Sequence, residues 1–137
     1  MPKDNISYSD YLSENSNAMS VEEADQIYRL LYSQIDPHDE DLVEFFDNVV
    51  TRASEYAEMR FKWSMMSFQE RVVEDEFRTS KHNAFLNSLS MMRTVLQKKG
   101  KTTEWFDMMG EDIQKTNRKR AGDFACYIVL FRSLGTR

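Results

Sequence analysis

Between about Asp39 and Met66 the apolar positions are Leu42, Phe45, Phe46, Val49, Val50, Ala53, Tyr56, Ala57 and Trp63. Steps of three and four residues line one side of an α-helix, so the pattern predicts a long amphipathic helix. Upstream, Ile27, Tyr28, Leu31 and Ile35 repeat at the same period behind Ser20-Val21-Glu22-Glu23, which has the S-x-x-E form of a capping box. Asp36-Pro37 should end that first helix, because the residue before proline is disfavoured in the α conformation. A second capping box, Ser67-Phe68-Gln69-Glu70, opens a third helix expected to reach Lys99. Gly100 is its predicted stop, with Lys98 and Lys99 placed against the negative end of the helix dipole.

The third helix is apolar on two sides. Phe85, Leu86, Leu89, Met92 and Leu96 form one stripe, and Val73, Phe77, Ala84, Met91 and Val95 lie on roughly the opposite one. Such a helix must be covered twice, either as the axis of a bundle or with its second face against a partner subunit. The expectation is a homodimer. After Gly100 a short helix carries Trp105, Phe106, Met108 and Met109 and is closed by Gly110. The last segment, AGDFACYIVLFRSLG, has an uncharged run from Phe124 to Phe131 that periodicity leaves open between helix and strand. Helix is the choice, since a lone strand would have no partner for its backbone groups.

With 137 residues the chain has the length of one domain, and four Gly and two Pro are too few for the frequent turns of a β architecture. The predicted fold is all-α, a bundle of four or five helices with a long central third helix. Residues 1–18, polar and rich in Ser and Asn, are expected to form a mobile N-terminal arm, and residues 19–137 a single helical domain. A net charge of -5 argues against a general nucleic-acid binder. The basic run Lys115 to Arg120, KTNRKR, reads first as a solvated loop or first turn and only second as a nucleic-acid patch. One cysteine, Cys126, rules out an intrachain disulfide framework and a zinc site of several thiolates, and reads as a buried small hydrophobe. No apolar segment of signal-peptide or membrane-spanning length occurs, so a cytoplasmic protein without membrane contact is expected. No cofactor motif is present: there is no phosphate loop, no Gly-x-Ser-x-Gly elbow, and neither histidine follows a Glu by three residues as a di-iron bundle requires.

Candidate chemistry concentrates at Arg71, Asp75, Arg78 and His82, spaced i+4, i+3 and i+4 so that they form a ladder of alternating charge. Solvated ion pairing is one reading. The ladder also runs into the stripe of Phe85, Leu86 and Leu89, so Arg78 and His82 should be partly buried and need partners. Arg60, between Tyr56 and Trp63 on the second helix, is the candidate. Arg60, Arg78, Tyr56, Trp63, His82 and Asn83, with Asp75 and Asp123 beside them, would make a pocket for a carboxylate, phosphate or base between helices 2 and 3. The plainer alternative stacks Arg60 on Trp63 and pairs it with Asp75. Asp123 is left open between a cap of the last helix and a wall of the pocket. A catalytic version would use His82 as general base. The Arg-x-x-x-His order is similar to the arginine and histidine pair of helical ribonucleases of toxin and defence systems, which space the pair more widely.

Two stretches, RTSKHNAFLNSLSMM (Arg78 to Met92) and AGDFACYIV (Ala121 to Val129), resemble a family of small all-helical bacterial proteins of unknown function. The resemblance covers the C-terminal half of the chain. It implies a bacterial helical bundle in which Arg78, His82, Asn83 and Asp123 occupy recurring polar positions, and it brings no activity. The residues themselves favour a non-enzymatic interaction or regulatory module, with a homodimer or another protein as partner. The alternative is a ligand-binding protein or nuclease-like enzyme built on the Arg60, Arg78, His82 and Asn83 pocket.

Overall fold

The computed structural model describes residues 18–110 and 118–134; the proposed arm up to residue 17, and Lys115 to Asn117 of the basic run, lie outside them. Among the described residues five helices follow in order: α1 (Val21–Ser33), α2 (Glu40–Trp63), α3 (Phe68–Lys98), α4 (Glu104–Asp107) and α5 (Arg118–Ser133). Among the described residues there is no strand, and Phe124 to Phe131 is helical. The all-α bundle expected from the sequence is therefore what the chain forms, with α3 the longest element at 31 residues, about 46 Å.

Local chemistry sets the helix ends. Ser67 Oγ accepts from Glu70 N at 3.2 Å while Ser67 N donates to Glu70 Oε1 at 2.8 Å, so both halves of the second capping box are made. These bonds hold the Glu70 carboxyl below its ordinary range, the Ser67 amide being the largest cause. At the other end Gly100 has φ 71, a conformation glycine adopts without penalty. Lys101 N then reaches Leu96 O and Gly100 N reaches Gln97 O, the paired bonds of a Schellman stop.

The helices α2 and α3 form an antiparallel hairpin around the short turn at residues 64–67. Lys99 meets Asp39 at one end, Lys81 meets Glu55 midway, and Arg71 meets the Trp63 carbonyl near the turn. Helix α5 packs along the other side of α2, with α1 and α4 against the same core. Tyr28 of α1 joins the layers, its ring 6.1 Å from Phe46 of α2 and 5.8 Å from Phe131 of α5. Leu42, Phe46, Val49, Ala53, Tyr56 and Ala57 of α2 are buried, as their spacing predicts, and so are Phe85, Leu86, Leu89, Met92 and Leu96 of α3. Ala121 through Ile128 are all buried, which explains a segment apolar on every side.

The two halves of α3 differ. Every buried residue of this helix lies between His82 and Leu96, and none lies between Phe68 and Lys81. Among the described residues nothing fully covers the second apolar stripe: Val73, Phe77 and Met91 are exposed, while Ala84 and Val95 are half-buried.

Candidate functional site

Contacts divide the predicted pocket residues into three groups. In the first, Tyr56 of α2 and His82 of α3 are both buried and meet edge to face at 5.2 Å. His82 Nδ1 lies 3.2 Å from Asn83 Oδ1, whose residue is otherwise exposed. A histidine at this depth is placed as a packed core group.

The second group surrounds Trp63 near the hairpin turn. The Arg78 guanidinium lies 4.4 Å from the Trp63 ring centroid and that of Arg71 lies 5.6 Å away, both within cation–π range. Arg71 Nε also donates to Trp63 O at 3.0 Å. Of the predicted ladder, Asp75 and Arg78 form the rung that pairs, at 3.2 Å. The alternative role given to Arg60, stacked on Trp63 and paired with Asp75, is thus taken by Arg71 and Arg78 from α3. Arg78 is three residues from Asp75 on the same helix, whereas Arg60 lies on α2 across the turn, so the local pair forms without loop closure.

The third group is where Arg60 goes. Its Nη1 donates to Asp123 Oδ1 at 3.0 Å, joining α2 to α5. Asp123 does not cap α5, which begins five residues earlier at Arg118. Its other oxygen, Oδ2, accepts the Ala18 amide at 3.1 Å. Gly122 makes room for this pair: a Cβ there would lie 2.6 Å from Arg60 Nη1. Cys126, one turn further along α5, is buried beside them. Burial pushes its thiol up to about 11, with the Arg60 charge pulling the other way and that of Asp123 adding to the rise, so it carries no thiolate at neutral pH.

Within the basic run Arg118 to Arg120 form the first turn of α5 and Lys119 is exposed, but Arg120 departs from the reading of a solvated segment. Half-buried, it donates from Nη1 to Ala18 O at 2.8 Å and to Glu23 Oε1 at 3.1 Å, and from Nη2 to Glu23 Oε2 at 2.6 Å. It also reaches the end of α4, through Nε to Met109 O at 2.7 Å and Nη2 to Met108 O at 3.2 Å. The fork holds the Glu23 carboxyl below its ordinary range, against the opposing effect of burial. Tyr127 OH donates to Met19 O at 3.2 Å. Arg120, Asp123 and Tyr127, on one side of α5 at i, i+3 and i+7, therefore fasten the chain where it enters α1. Ala18, the last residue of the proposed arm, is already held at both its amide and its carbonyl. Sequence spacing marked α5 as apolar but gave no sign of partners about 100 residues away.

On the opposite flank of α2 and α3 is a groove of about 410 Å³, lined by Asn48, Arg52 and Glu55 from α2 and by Ser80, Lys81, Ala84, Asn87, Ser88 and Met91 from α3. It contains none of the predicted pocket residues. Among the described residues no group of three or more His, Cys, Asp or Glu could hold a metal ion, and no helix is long and apolar enough to cross a membrane.

These features define a small helical bundle whose buried polar side chains join its elements and whose longest helix leaves an apolar stripe uncovered. No family of known proteins matches the chain, nor does any curated protein or solved structure.

Proposed function

We propose that this protein is a cytoplasmic, non-enzymatic interaction module that works as a homodimer through the outer side of α3. The observation that carries this reading is the line of Val73, Phe77 and Met91, exposed by 78%, 52% and 41%, on a helix whose inner side is buried from His82 to Leu96. Aligned apolar side chains of this size on one face mark an association surface more often than a solvated one. The resemblance of Arg78 to Met92 and Ala121 to Val129 to the bacterial helical family fits the same reading and adds no chemistry to it.

Native mass spectrometry of protein purified gently from cells tests this directly. A dimer mass with no adduct is the expected result, and Phe77→Glu should shift the population to monomer while circular dichroism stays unchanged. A monomer at micromolar concentration sinks the reading.

The competing ligand-binding or nuclease-like reading draws on one observation, that Arg78 Nε is buried without a hydrogen-bond partner. Against it, Arg60 is engaged by Asp123 and His82 is packed on Tyr56. A small-molecule adduct lost on Arg78→Ala would bring the pocket forward.

A further inference from the structure

The outer stripe of α3 is symmetric about Ala84. Val73 and Val95 lie eleven residues to either side of it and Phe77 and Met91 seven; of the serines four residues away, Ser80 is exposed and Ser88 is turned inward and buried. At 3.6 residues per turn, offsets of four, seven and eleven return close to the same side of a helix, so the arrangement is a line and not a scatter. Its ends are apolar and its middle is small. Two such helices laid antiparallel with Ala84 on the axis between them would bring each residue opposite its counterpart: Phe77 against Met91, Val73 against Val95, and alanine against alanine.

Charge points to the same alignment. On the side of the stripe, exposed Glu70 lies fourteen residues before Ala84 and exposed Lys98 fourteen after it. Parallel pairing would place like charge over like, whereas antiparallel pairing sets Glu70 of one copy over Lys98 of the other. An isologous two-fold contact needs a surface complementary to itself under reversal, and both the apolar line and this charge pair have that property.

We infer that the partner of this surface is a second copy of the chain, docked antiparallel along α3 with the two-fold axis at Ala84. The inference rests on the homodimeric reading above and adds its geometry. Small Ala84, with Ser80 beside it, lets the two backbones approach at the low end of helix packing distances. Phe77 of each copy then covers the Met91 end of the other's groove beside Asn48 and Arg52. The two α2–α3 hairpins form a four-helix layer, which supplies the second cover that the described residues do not give the outer face of α3.

Only a residue on the two-fold meets its own copy, so a single cysteine tests the axis. Ala84→Cys should give a disulfide-linked dimer in most chains under mild oxidation, because Cα atoms across an axis lined by small residues come within disulfide range. Wild-type protein, with Cys126 buried, should stay unlinked. Phe77→Cys alone should link poorly, and an equal mixture of Phe77→Cys and Met91→Cys should link readily. A protein that is dimeric by native mass, yet unlinked in Ala84→Cys and in the mixture, would overturn this geometry and leave the homodimer standing. A monomer by mass would remove both. Retained helicity in each variant excludes unfolding as the cause of a negative result.

Discussion

Two arginine–aspartate pairs of the same chemistry occupy opposite situations in this protein. Asp75 and Arg78 are three residues apart on α3, their side chains exposed by 58% and 27%, and they form one rung at 3.2 Å. Arg60 and Asp123 are 63 residues apart on α2 and α5, their side chains exposed by 2% at the aspartate and 16% at the arginine, at 3.0 Å. The first pair was bound to be neighbours once the helix formed, and water screens it. The second can form only when the bundle closes. Its carboxylate also holds the Ala18 amide, so breaking it exposes a charge and a backbone donor together. Distance between the partners is nearly the same in both; burial and connectivity set the difference in what they contribute.

The largest expected effect is therefore at Asp123. Asp123→Ala leaves the Arg60 guanidinium largely buried without its carboxylate and should cost about 3 kcal/mol, the range seen when one member of a buried pair is removed. Urea unfolding with the wild-type m-value would measure it, and amide exchange at Ala18 should rise above that of the core helices. A loss below about 1 kcal/mol would mean that water reaches the pair and that the contrast with Asp75 is one of geometry alone.

That contrast also marks what the sequence could reveal. Helices α2 and α3 were legible because their apolar residues recur at 3.6, and the capping box at Ser67 and the stop at Gly100 follow from local chemistry that needs no tertiary context. The burial of Arg78 and His82 was legible from the stripe they continue. The partner of Arg60 was not. Asp75 offered a complementary charge on the helix expected to face Arg60, and nothing in a linear pattern says that a carboxylate in an apolar run 63 residues away will be folded against it. Arg120 was hidden for a related reason: inside KTNRKR its charge looked like that of its neighbours, while its fork satisfies two carbonyls at the end of α4 and a third at Ala18. Periodicity reports which face turns inward, and it carries no information about which face meets it.

A smaller effect should come from Gly122, and it sharpens the comparison because the mutation touches neither charge. Inside a helix, glycine to alanine normally stabilises by up to about 1 kcal/mol. Here the added methyl would sit 2.6 Å from Arg60 Nη1 and 2.7 Å from its Cζ, so the Arg60 side chain must shift and its bond to Asp123 is weakened. The sign should reverse, with Gly122→Ala destabilising by about 1 kcal/mol once the weakened pair is set against the helix gain. Combining it with Arg60→Met makes the argument testable as a cycle. With the guanidinium gone, the penalty specific to the methyl should shrink or vanish, giving a coupling of the order expected for residues in contact. Additive losses would show that the space at Gly122 is needed for the backbone of α5 and not for Arg60.

The smallest effect belongs to Asp75. Asp75→Ala removes one partner of an exposed rung whose other member keeps its contact with Trp63, the Arg78 guanidinium lying 4.4 Å from the ring. Exposed pairs three residues apart contribute a few tenths of a kcal/mol, so the midpoint of urea unfolding should barely move. Salt should erase what remains, since screening acts fully on a pair in contact with water. A cost above about 1 kcal/mol that persists in 0.5 M salt would place Asp75 in the same class as Asp123. It would also mean that the carboxylate holds Arg78 on Trp63, so that the tip of the hairpin is an organised polar site and the stripe on the other side of α3 is not the only feature of this helix with a role.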